Sequence, residues 1–179
     1  MKRKVTFQLL SLTIITAFLL MPYSTNAQGS KANFSGTWAF NAEKSNMGQP
    51  PQGGGGGGRM GGFGGGNFVA KQEANLLTVD RTRTTQDGQT MTVTSKYTLD
   101  GKESVNTTGR GESKSVATWS ADGKSLTIVT KRSFERDGQT TEMTSTEVWN
   151  LTSPATLQIV TTMNTPNGER KITAVYDKK

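Results

Sequence analysis

Apolar and polar residues alternate with period two through almost all of the chain beyond residue 33, the pattern of strands that bury one face. The alternation opens with Phe34-Ser35-Gly36-Thr37-Trp38-Ala39-Phe40-Asn41, which puts Phe34, Gly36, Trp38 and Phe40 on one side. That much aromatic area on one face needs an enclosed core, with Trp38 as its anchor. Gly36 would let a neighbouring backbone approach just before the tryptophan. From Phe68 onward, runs at 68–74, 76–86, 89–99, 102–108, 113–120, 125–135, 139–151, 156–165 and 169–177 are separated by turn signals. Among those signals are Asp87-Gly88, Asp100-Gly101, Asp122-Gly123, Asp137-Gly138 and Asn167-Gly168, dipeptides that supply the positive φ of tight hairpins. With the opening strand the runs number ten, and they predict an all-β, up-and-down antiparallel barrel. An even number of hairpin-linked strands lets the last pair with the first, closing the sheet and removing both edges.

Two stretches depart from this pattern. Lys2-Arg3-Lys4, the apolar run Val5 to Met21 and the small residues Thr25 and Ala27 read as a secretory signal peptide over 1–27, cleaved before Gln28. The competing reading, an uncleaved membrane anchor, is disfavoured by the Thr, Gln and Ser that interrupt the run. The second is the Gly-rich loop over 48–67, with six consecutive glycines at 53–58. It supplies almost no side chain to pack and reads as a flexible, disordered loop between the first two strands. Its G-x-G-x-x-G spacings lack the Lys-Ser/Thr ending of a phosphate loop and any βαβ context. Residues 28–179 are then a single domain.

Composition narrows the function. The formal charge of +7 includes Lys2, Arg3 and Lys4, which leave with the leader, and the remaining mild excess is spread along the strands. It does not point to nucleic acid. The chain has no cysteine, so it can be neither a diacylated lipoprotein nor disulfide-stapled. Without histidine or cysteine, the usual base, thiol nucleophile and zinc ligands are missing, and most aspartates sit in turns. We expect no catalytic residue, no metal site and no cofactor.

F-x-G-x-W at the first strand resembles the opening of the calycin barrels, the lipocalins and fatty-acid-binding proteins. Ten strands in a meander are more similar to the fatty-acid-binding architecture than to eight-stranded lipocalins. The ending Ala174-Val175-Tyr176-Asp177-Lys178-Lys179 is similar too, with Tyr176 in a structural role. In that family an Arg two residues before the Tyr clamps the ligand carboxylate; here the position is Ala174, so the resemblance implies no such clamp. The Gly-rich stretch stands where the family has two lid helices. Phe34-Ser35-Gly36-Thr37-Trp38, Lys44-Ser45, Tyr97 to Glu103 and Val175 to Lys178 resemble a group of secreted bacterial lipocalin-like proteins.

If Trp38 points inward, parity turns Arg81 and Arg83, Tyr97, Arg132 and Phe134, Met143 and Glu147, and Met163 inward as well, with Ala117 and Trp119 as the inward pair on their strand. Direction carries Arg81, Arg83 and Arg132 toward the end that bears the Gly-rich stretch, which the resemblance makes the mouth. Three guanidiniums there would suit a carboxylate or phosphate head. Phe134, Trp119 and methionines including Met91, Met143 and Met163 would take an apolar body. Alternatively these residues fill a solid core, the rim arginines reach solvent, and Arg132 pairs internally with Glu147.

Two functions follow. One is a periplasmic or secreted binding protein for a small hydrophobic or amphipathic molecule, its anionic head near the mouth. The other is a non-enzymatic envelope or surface module with a solid core, contacting a protein partner through the Thr-rich exterior and the Gly-rich loop. Neither needs nucleic acid or, after leader removal, a membrane span.

Overall fold

The structure is a computed structural model describing residues 30–48, 65–84, 88–108, 111–136, 139–165 and 168–179. The expected signal peptide, most of the Gly-rich loop and several turn positions (Asp87, 109–110, 137–138 and Asn167) lie outside these residues. Ten strands follow in order: β1 (Gly36–Asn46), β2 (Phe68–Gln72), β3 (Leu76–Thr84), β4 (Thr90–Thr98), β5 (Glu103–Thr108), β6 (Gly111–Trp119), β7 (Ser125–Arg136), β8 (Gln139–Ser153), β9 (Thr156–Thr165) and β10 (Gly168–Lys178). All nine ladders are antiparallel, in the sheet order β4-β3-β2-β1-β10-β9-β8-β7-β6-β5. The meander is the expected one, and the last strand does pair with the first, Phe40 opposite Tyr176. Gly101 and Gly123 close two of the Asp-Gly turns with φ of 79° and 69°, values that an L side chain resists.

Closure differs from expectation. Pairing β1 with β10 does not remove both edges, because β4 and β5 form no backbone ladder with each other. Side chains bridge this seam instead. The Lys96 N–H donates to Asn106 Oδ1 at 2.7 Å, Asn106 Nδ2 returns a bond to the Lys96 carbonyl at 3.0 Å, and the Thr98 N–H donates to Ser104 Oγ at 2.8 Å. Both residues that reach across are buried. An edge that would otherwise present free backbone groups is thus satisfied by an amide and a hydroxyl.

The opening stretch also differs. Phe34 and Ser35 precede the strand rather than belonging to it. Residues 31–35 cross one end of the barrel, held by Ala32 N–H to the Gly123 carbonyl (2.9 Å), Phe34 N–H to Gln72 Oε1 (2.9 Å) and Gln72 Nε2 to the Ala32 carbonyl (2.9 Å). Gly36, at φ 153°, makes the bend from this crossing into β1. What lies over Gly36 is the Lys178 side chain, not a neighbouring backbone. Phe34 is fully buried, stacked on Trp119 at 5.8 Å and edge-on to Trp149 at 5.7 Å. It plugs what we call the closed end.

Lys44-Ser45 and Asp177 hold β1 to β10 where the ladder register shifts, between Asn41 and Asn46. Ser45 Oγ accepts the Val175 N–H at 2.9 Å, and Asp177 takes Asn41 Nδ2 at 2.6 Å and Lys44 Nζ at 3.1 Å. Residues that carried the resemblance therefore act as joints of the sheet.

The core sits toward the closed end. Trp38, Trp149, Tyr176, Phe34, Leu77 and Leu126 are among its fully buried side chains. Tyr176 meets the Phe68 ring edge-on at 4.9 Å and Phe40 at 5.7 Å, and Trp38 Nε1 donates to the Phe34 carbonyl at 2.9 Å. Trp38 and Tyr176 are held in the core by these contacts, whereas Gly36 serves the bend into β1.

Candidate functional site

The inner face changes character halfway along the barrel. Above the aromatic core stands a charged pair from opposite sides of the chain: Arg81 on β3 and Glu147 on β8, with Nη2 3.6 Å from Oε2. Alternation with Leu77 and Val79 turns Arg81 inward, and alternation with Trp149 and Leu151 turns Glu147 inward. The Arg81 guanidinium lies 5.1 Å over the Phe68 ring and 6.0 Å over Trp149, so aromatic faces replace part of the water it gives up. Glu147 Oε2 also accepts Trp149 Nε1 at 2.9 Å.

Two phenols complete the layer. Tyr176 hydrogen-bonds Arg81, and burial, opposed by Arg81, leaves its phenol above the ordinary value. Tyr97 on β4 is likewise raised by burial and then by Glu147, with Arg81, Ser95 and Arg132 pulling the other way. For Arg81 itself burial pulls down, but Glu147, Tyr176 and Tyr97 together hold it above its usual value. The guanidinium stays charged at any pH the fold survives. Arg81 and Tyr176 thus pair from different strands, with Ala174 two residues before the tyrosine.

Toward the mouth, Arg132 on β7 lies opposite Ser113 on β6 and Met143 on β8. It is half-buried, its Nε is shielded from solvent without a hydrogen-bond partner, and no acidic side chain among the described residues pairs with it. Hydroxyls line the wall beside it: Ser113 and Ser115 are buried, and Ser115 Oγ bonds Thr130 Oγ1 at 2.9 Å. Met163 is buried opposite Arg170 on β10.

The sequence-predicted residues thus divide. Arg81, Glu147 and Tyr97 come together in one layer, and Arg132, Met143 and Met163 stand on the mouth side of it. Glu147 pairs with Arg81, not with Arg132. Trp119 belongs to the closed-end plug, with Lys31 Nζ 5.5 Å above its ring. Met91, expected to face an apolar ligand body, is 54% exposed, because it lies at the start of edge strand β4. Arg83 and Phe134 hold backbone positions opposite Met91 and Thr141; their side chains lie outside the described residues. The sequence reading missed Arg170, whose Nη2 donates to the Met47 carbonyl at 3.4 Å. The parity of Ile172, Ala174 and Tyr176, run back two more residues, would have found it. It also missed Phe68, the ring on which Arg81 rests.

Among the described residues no three His, Cys, Asp or Glu side chains come together, and no helix is long and apolar enough to cross a membrane.

This architecture, a ten-stranded antiparallel barrel nearly closed around an inner face, matches the fatty-acid-binding-protein-like fold. One solved structure that it resembles is zebrafish ileal bile acid-binding protein complexed with cholic acid. The two align with a TM-score of 0.53 at 19% identity, over 83% of this chain and 100% of that one. No protein-family model matches the sequence, and no curated protein is significantly similar to it.

Proposed function

We propose that the protein is an exported, non-enzymatic binding protein for a small amphipathic molecule whose anionic head is held by Arg132 in the mouth half of the barrel. One observation carries the reading: Arg132 is an inward guanidinium whose shielded Nε has no partner and which no carboxylate neutralises among the described residues. A buried donor left unmet costs stability unless something arrives to meet it. Arg81, by contrast, is already answered by Glu147 and Tyr176. The fold likeness supports the same reading, since the zebrafish protein was solved with cholic acid. The buried aromatic cluster of the closed half supports a ligand held in the other half, beside Arg132. The leader-like residues 1–27 support periplasmic or secreted localisation, and the absence of His and Cys supports binding over catalysis.

The test is titration of wild type and Arg132→Met with an anionic fluorescent amphiphile such as anilinonaphthalene sulfonate. Wild type should bind, and the variant should bind about tenfold more weakly, the weight of a hydrogen bond to a charged group. No binding by wild type, or equal binding by both, overturns the reading. Expression with the leader in a bacterial host should yield an exported chain beginning at Gln28. The buried aromatic cluster of the closed half is the one observation that favours an interaction module instead. That module would capture a protein partner only while residues 53–66 are present, and its interior would take no amphiphile.

A further inference from the structure

The inner face offers a second open group besides Arg132. Both interactions of Glu147, with Arg81 and with Trp149, use Oε2. Oε1 therefore has no protein donor among the described residues. It is not sealed off either, since the side chain is 23% exposed and Oε1 is not among the buried, partnerless atoms. An ionised carboxylate only accepts hydrogen bonds, so this oxygen waits for a donor.

Register relates the two groups. Arg132 faces Met143, and Glu147 lies four residues further along the same strand, past Ser145 opposite Thr130 and up to Ile128. All of these positions share the inner face. Four residues of strand separate the backbones by about 13 Å. Both positions lie on the inner face of the one β7–β8 ladder, so the two side chains face the same interior.

Resting on the binding reading above, we infer that Glu147 determines specificity: the site takes an amphiphilic anion carrying a hydroxyl or amino group at the end away from its head. The head meets the donors of Arg132, and the distal hydroxyl or ammonium donates to Glu147 Oε1. A plain alkyl tail would leave that oxygen desolvated and unpaired, and binding penalises this strongly.

The experiment compares decanoate, 10-hydroxydecanoate and 10-aminodecanoate by isothermal titration calorimetry on wild type and Glu147→Gln. The substitution keeps size and shape, so folding is checked by the near-ultraviolet spectrum and thermal midpoint. Wild type should prefer the hydroxy and amino acids over decanoate by about tenfold, against the order of their hydrophobicity. Glu147→Gln should lose the preference for the amino acid and bind decanoate at least as well as wild type. Binding of decanoate that equals or exceeds that of the substituted acids overturns the inference and leaves the binding reading intact. Binding of none of the three by either protein overturns both. Should Glu147→Gln fail to fold, the wild-type order of the three acids decides alone.

Discussion

Asn106 on β5 takes both the N–H and the carbonyl of Lys96 on β4 with its side-chain amide, standing in for a backbone pairing that the two strands never make. The arrangement lets β4 and β5 splay without leaving polar groups bare. It concentrates the integrity of the seam in one side chain. Asn106→Ala should lower stability by about 1–2 kcal/mol, the cost of stranding the part-buried Lys96 donor and acceptor. Denaturant unfolding measures the loss, and amide exchange at Lys96 should accelerate while the β7–β8 ladder keeps its protection. Unchanged exchange at Lys96 would count against the bridge.

Arg132 should show the opposite relation between stability and binding. Arg132→Met removes a shielded donor without a partner and should leave stability equal or higher by about 1 kcal/mol, even as amphiphile binding weakens. A thermal melt of the variant beside its titration checks both halves. A marked loss of stability would mean that the guanidinium holds the wall together.

The Arg81–Glu147 pair should couple. Glu147→Leu strands the Arg81 charge and takes the acceptor from Trp149, and with both side chains partly reached by water (30% and 23% exposed) we expect a loss of about 1–3 kcal/mol. Arg81→Met with Glu147→Leu should lose less than Glu147→Leu alone. A double-mutant cycle measures the coupling, and simple additivity would deny it.

Removing the closed-end plug should be costly. Phe34→Ala empties a fully buried site between two indoles and should cost about 3–5 kcal/mol. The near-ultraviolet signals of Trp119 and Trp149 should weaken with it. Retained signals with full stability would show that the crossing segment adds nothing.

Acid sensitivity should be visible in the β4–β5 turn. The Lys102 N–H donating to Asp100, helped by the Lys102 and Thr98 side chains, holds that carboxyl at about 2, below the roughly 3.9 of a free aspartate. Because the folded-state value is depressed, the contribution is complete above the unfolded value and fades as pH falls through the folded one. Carboxyl-carbon NMR should find the Asp100 midpoint near 2, and Asp100→Asn should flatten the acid limb of stability between about pH 4 and 2. A midpoint near 4 would deny the turn bond.

Much of this fold was legible because two codes overlap: period-two alternation sets which face each strand buries, and Asp-Gly steps mark where it reverses. Parity turned Arg81, Tyr97, Arg132, Glu147 and Met163 to the correct side. Parity says nothing about reach across the interior, so the partner of Glu147 could not be read from it. Arg81 and Arg132 both face inward, and only the sheet's curvature selects between them. Phe34 keeps the phase of the strand while lying outside it, since a bend at Gly36 leaves alternation undisturbed. The seam escaped because Ser104 and Asn106 look like ordinary polar strand residues until β5 is seen to lack a neighbour.

The crossing segment and the last residue end at the same pole: the Lys179 N–H donates to the Thr37 carbonyl and the Ala32 N–H to Gly123, both on the closed side. Ala32 and Lys179 therefore both lie on the closed side, away from Arg132. A protein immobilised through Lys179 would hold its closed side against a sensor surface and keep Arg132 on the far side.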